Sequence, residues 1–170
     1  DNGTPMVTIQ TDMKNSPVQV TRAGNKVDIN AYVKFSGDAV NDYFPGEVII
    51  DPSTGAATGL TYATVAKNTI ESKWSGMFGV YGQDVSVKAQ VHTEWVNNNQ
   101  RFLTYNINYR DEYSHAGTIP SIFIAAMIRD EGIAWDMKYS CDRITVNVDK
   151  NRLQEYTYTD AIKSAFAHEF

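Results

Sequence analysis

The sequence predicts an α+β fold: a mainly antiparallel twisted sheet, a leading amphipathic helix, and the start of a second helix at the C-terminus. Three observations predict it. Apolar and polar residues alternate in several separated runs, the period of half-buried strands. The period becomes helical over residues 58–74 and again over the last eleven residues, Asp160 to Phe170. The composition, 42% hydrophobic and 12% aromatic with ten tyrosines, supports a packed core and excludes a disordered chain. At 170 residues the chain is expected to form one domain, with a β-rich segment over 1–50 leading into 51–170.

Residues 6–11, 18–21 and 27–35 read as strands. In the third, Val27, Ile29, Ala31, Val33 and Phe35 alternate with polar neighbours. Ala23-Gly24-Asn25 joins the second run to the third as a hairpin, Gly or Asn supplying the left-handed backbone. Gly37 through Gly46 breaks the pattern, 47–50 is a short strand, and Asp51-Pro52-Ser53-Thr54-Gly55 is a turn cluster. Over 58–74, Tyr62, Ala66 and Ile70 are spaced four apart, Trp74 follows, and Ala63 shares their face, which makes an amphipathic helix. Thr58 or Thr61 is placed to cap its start, and Ser75-Gly76 to stop it. Val85, Val87, Ala89 and Val91 alternate next; 102–109 follows the Asn97-Asn98-Asn99 turn, and these two strands are expected to be antiparallel neighbours. The apolar run 122–128 fits a buried strand or a short helix. Ile144, Val146 and Val148 mark another strand, 151–158 a loop, and Thr157 or Thr159 the cap of a last helix starting near Asp160.

Fifteen basic against twenty acidic residues give a net charge of −5. The basic residues are scattered, so no footprint for nucleic acid or an anionic membrane emerges. No apolar run approaches the roughly 18 residues of a membrane span. Cys141 is the one cysteine, so no intrachain disulfide forms. A start at Asp1 fits an exported chain whose leader has been removed, or a recombinant product.

On the last helix Ile162, Phe166 and Phe170 form an apolar stripe, while Ala161 and Ala165 share a small-residue face with His168. The stripe still runs at Phe170 with no Gly, Asn or basic last turn to end it. The helix is therefore expected to continue in a longer parent protein.

Ala165-Phe166-Ala167-His168-Glu169-Phe170 resembles the start of the active-site helix of zincin metallopeptidases, particularly the metzincins and matrixin-like enzymes, where the motif continues Gly-His. The organisation over 51–170 is similar to the N-terminal subdomain of such a peptidase. Trp74-Ser75-Gly76 followed by an alternating strand is also similar to secreted bacterial metallopeptidases of this kind. The resemblance implies zinc as cofactor in the parent, a peptide or protein substrate, and a secreted or cell-surface location. It implies His168 as the first zinc ligand, through a neutral imidazole nitrogen, and Glu169 as the general base acting on zinc-bound water. A strand at 144–148 or 102–109 could hold the substrate by edge pairing. The second histidine would lie four positions after His168 and the remaining ligand farther on, beyond Phe170. Catalytic zinc usually takes three protein ligands and structural zinc four. These 170 residues alone are therefore expected to bind no zinc tightly and to be inactive.

Plainer roles stand beside these. A His-Glu pair near a helix end is also an ordinary surface turn, favoured by the helix dipole when the histidine is cationic. His92 and His115 are isolated and read as packing or solvated contacts; Cys141 reads as a small buried hydrophobe. Asp38, Asp42, Glu47 and Asp51 lack the spacing of a calcium loop and read as solvated carboxylates. Asp111-Glu112 and Asp130-Glu131 are adjacent acids, and adjacency does not set the separation glycoside hydrolysis needs. The alternative to the peptidase is a non-enzymatic extracellular binding module that engages a peptide or glycan through a sheet edge or aromatic face.

Overall fold

The computed structural model describes residues 15–80, 83–110, 115–116, 143–168 and 170. The chain order is β1 (Val18–Ala23), β2 (Lys26–Ser36), β3 (Tyr43–Ile50), β4 (Ala57–Thr61), α1 (Tyr62–Lys73), β5 (Gly76–Val80), β6 (Gln83–His92), β7 (Leu103–Tyr109), β8 (His115–Ala116), β9 (Arg143–Val148) and α2 (Tyr156–His168). The architecture is α+β: a large mixed sheet in the order β5-β6-β2-β7-β9-β8, with β1 also on β2, and a two-stranded sheet of β3 and β4.

The β1–β2 hairpin forms as the alternation requires, Val18 facing Ala31 and Ala23 facing Lys26. Gly24 turns it at φ 59°, a backbone that costs glycine nothing. Every second residue of β2 from Val27 to Val33 is buried. Parallel pairing places Val27, Ile29 and Ala31 beside Val87, Ala89 and Val91 of β6, and Val33 beside Leu103 of β7. Tyr105 and Ile107 lie beside Ile144 and Val146 of β9. These residues make one continuous apolar face, against which α1 buries Tyr62, Val65, Ala66 and Ile70 and α2 buries Ile162, Phe166 and Ala167. Among the described residues no helix is long and apolar enough to cross a membrane.

The expectation that β6 and β7 are antiparallel neighbours is corrected. They lie on opposite sides of β2, and both run parallel to it. Ten residues, 93–102, separate them, fewer than the dozen or so a parallel crossover ordinarily needs. The stagger removes that need: β6 ends where His92 faces Tyr32, and β7 begins one row later where Leu103 faces Val33. The connection only has to move sideways. The same edge of β2 therefore serves β1 first and β7 afterwards. Gln100 stitches that junction, its side-chain amide donating to the carbonyls of Asn15 and Ser16.

Helix boundaries also differ. Thr61 caps α1, its side chain accepting from the Thr64 amide at 3.3 Å, while 57–61 belongs to β4. The region read as a loop over 151–158 holds a 3-10 turn (Lys150–Arg152) and the first residues of α2, which begins at Tyr156. Gly-Met-Phe-Gly-Val carries too little alternation to announce β5, yet it pairs with β6 throughout. Runs 6–11 and 122–128, with Cys141, Asp111-Glu112 and Asp130-Glu131, lie outside the described residues.

Candidate functional site

The candidate site begins with the end of α2. A helix leaves its last four carbonyls without intrahelical partners, and here side chains from elsewhere in the fold reach two of them. The Tyr105 hydroxyl of β7 donates to the Phe166 carbonyl at 2.6 Å, in a buried position. The Trp74 indole N–H, from the residue that ends α1, donates to the Ala167 carbonyl at 3.1 Å. The Trp74 ring also meets Phe170 edge to face, centroids 6.0 Å apart, and Phe166 and Phe170 are fully buried. His168 stands between these anchored positions and is exposed. At roughly 100° per residue, it falls on the side of the helix opposite Phe166. Glu169, the other residue of the pair, lies outside the described residues.

Strand register locates this helix end on the sheet. Phe35, Tyr105, Ile144 and Ala116 form one row across β2, β7, β9 and β8. Tyr105 is the residue that reaches Phe166, so the end of α2 sits over the row that finishes at β8. Two inter-strand steps separate Tyr105 from β8, about 10 Å. Neither segment expected to offer a substrate edge is an open edge at this row. β7 lies between β2 and β9, and β9 carries β8 on its far side at Ile144 and Thr145. Among the described residues the short strand β8 takes the outer position, with His115 opposite Thr145 in its ladder.

The other residues singled out in the sequence are engaged elsewhere. His92 is half-buried, its Nε2 lying 2.8 Å from the Asn30 side-chain oxygen and its ring stacked on Tyr32 at 4.9 Å. Asp38 accepts from the Tyr109 amide at 2.7 Å and from Arg110 at 3.1 Å. The Tyr109 amide, with Arg110 beside it, holds the Asp38 carboxyl below the ordinary range. Asp42 accepts from the Tyr109 hydroxyl at 2.7 Å. Burial, and the bond to Asp42, push the Tyr109 phenol well above its ordinary value. Asp51 closes its own turn through Ser53, whose hydroxyl and amide hold the carboxyl low.

Glu47 pairs with Lys163 of α2 at 2.5 Å. That pair stands between two open clefts. One, of about 440 Å³, runs between α1 and α2 and is lined by Asn68, Ser72, Lys73 and Asp160 among others. The other, about 330 Å³, is lined by Phe44, Leu153 and Tyr156 among others. Neither includes His168. No group of three or more His, Cys, Asp or Glu residues stands together among the described residues.

Tyr105 and Trp74 were not singled out as site residues by the sequence, although a signal existed for the first. A tyrosine at an inward position of a buried strand needs a partner for its hydroxyl, and a nearby helix end offers unpartnered carbonyls. Nothing in the sequence says which helix end that is. Comparison with protein-family models, curated proteins and solved structures found no match for the chain.

Proposed function

We propose that this chain forms the N-terminal, sheet-bearing part of a secreted zinc-dependent metalloendopeptidase, with His168 as the first zinc ligand and Glu169 as the general base. The observation that carries this is the exposed histidine in the last turn of a helix whose end is held over the sheet row finishing at β8. A peptide laid along β8, the outermost of the described strands, would bind by backbone hydrogen bonds, with alternate side chains free to be selected.

The donor set sets the limit of the proposal. Catalytic zinc usually takes three protein ligands; the described residues offer one at this place and no cluster elsewhere. They do not complete a zinc site. The proposal therefore gives this chain one ligand, the base and the substrate-facing sheet, and places the other ligands in a continuation of α2, the next of them four residues after His168. No chemical step is assigned to the 170 residues alone.

Two measurements test this. Sequencing the encoding gene past the Phe170 codon should show Gly-His and then a third ligand; a stop codon, or continuation without a histidine, defeats the proposal. With zinc supplied, a verified 170-residue preparation should cleave no protein substrate, whereas the continued chain should cleave one and lose that rate on Glu169→Gln. A continued chain with no rate, or a Glu169→Gln variant that keeps it, also rules the peptidase out.

The second reading, a module that binds a peptide or glycan, is favoured by one observation. Trp95 is 75% exposed beside a cleft of about 300 Å³ formed with Lys67, His92 and Glu94. Binding of an oligosaccharide or peptide that disappears on Trp95→Ala would support it.

A further inference from the structure

We propose that Tyr105 and Trp74 are positioning residues for His168: they pin the last turn of α2 from β7 and from the end of α1, so that residue 168 projects from a fixed backbone. The inference rests on the functional assignment of His168, but the geometry behind it stands apart from any metal.

Both residues immediately before His168 have their carbonyls held by side chains, Phe166 by the Tyr105 hydroxyl and Ala167 by the Trp74 indole. Phe170, two positions after His168, is held by the same indole ring. Positions 166 and 167 lie at roughly 0° and 100° around the helix, and position 168 at about 200°. The pinned residues thus cover one side of the turn, and His168 leaves from the other.

The anchors themselves are firmly based. Tyr105 is fully buried, sits in a strand paired on both sides, and packs its ring on Phe35 at 5.2 Å. Trp74 is fixed by the capping bond of its own amide to the Ile70 carbonyl at 3.1 Å. A helix end normally frays, because its last carbonyls exchange between water and weak local bonds. A metal ligand held within a few tenths of an ångström needs the opposite, a turn whose supporting groups are themselves locked. Neutral donors on rigid elements supply that without adding charge beside the imidazole.

The test uses the 170-residue chain and backbone ¹⁵N relaxation at Ala167 and His168, with Tyr105→Phe and Trp74→Phe made singly and together. Each substitution removes one donor and keeps the ring. In the parent chain both amides should show order parameters near the rigid value of about 0.85, falling toward roughly 0.6 in the double variant. Tyr109→Phe is the control: it deletes another hydroxyl with a carboxylate partner, at the far end of β7, and should leave both amides unchanged. Unaltered order in the double variant overturns the inference. So does an equal loss in Tyr109→Phe, which would make the effect general loosening. Neither result involves zinc or a substrate, so a failure here leaves the peptidase assignment standing, and a missing downstream histidine leaves the positioning result standing.

Discussion

The carboxyl and amino ends of β7 are built by different means. At the carboxyl end the loop after β2 folds over the end of β7 and is knitted to it. The Ala39 amide donates to the Ile107 carbonyl at 3.1 Å, the Asp38 amide to the Asn108 side chain at 3.2 Å, and the Tyr109 amide back to Asp38 at 2.7 Å. Toward the amino end, two neutral side-chain donors hold the end of α2, and an exposed histidine follows. Open parallel sheets ordinarily place ligands outside the carboxyl ends of their strands. At β7 the chain's own loop fills that position, and the candidate chemistry lies toward the amino end of that strand. The contrast shows that strand direction alone does not locate a site in a mixed sheet; what the intervening loops cover decides it.

The largest expected effect breaks the carboxyl end. Gly37 adopts φ +116°, and a Cβ there would stand 2.2 Å from the Ile107 carbonyl oxygen and 2.7 Å from the Asn108 side-chain oxygen. Gly37→Ala must therefore unseat the loop from β7, and the expected loss is on the order of 3 kcal/mol or more. Equilibrium urea unfolding measures it. A loss below about 1 kcal/mol would mean that the loop shifts freely and the knitting is superficial.

A smaller effect is expected at the other end. Tyr105→Phe deletes one hydroxyl and leaves the buried Phe166 carbonyl without that donor, a loss of about 1–2 kcal/mol in the same experiment. If it matches Gly37→Ala, the two ends are equally integral to the fold and the contrast fails.

Much of the fold was legible in the sequence because its signals are local. The alternation of β2 from Val27 to Val33, the left-handed Gly24 and the Thr61 cap each depend on neighbours only, and each is present in the structure. The path of the sheet was not legible. A ten-residue connection implies an antiparallel neighbour only if the two strands lie level, and the one-row stagger between His92 and Leu103 is set by how β2 divides its edge between β1 and β7. That division is a property of the assembled sheet. The site follows the same pattern: His168 stands out through its neighbours in the chain, whereas Tyr105 and Trp74 reach the same turn from 61 and 93 residues away.

The smallest effect sharpens the comparison by pH. The folded-state value of Asp38 lies below that of the unfolded chain, chiefly because the Tyr109 amide donates to the carboxylate, with Arg110 adding to it. The folded state therefore binds fewer protons, and stability rises with pH. The contribution is present above about pH 4 and is lost as acid carries the pH down through the folded value. Asp38 and Arg110 are both about half exposed, so solvent screens the pair and the shift in unfolding midpoint should be the least of the three. Asp38→Asn should flatten the fall in stability below about pH 4, and Tyr105→Phe should leave that slope unchanged because it removes no titrating group in this range. Equal slopes in the parent and Asp38→Asn chains would show that Asp38 ties the carboxyl end by geometry without charge. A change of slope in Tyr105→Phe would show the two ends to be coupled, contrary to the separation drawn between them.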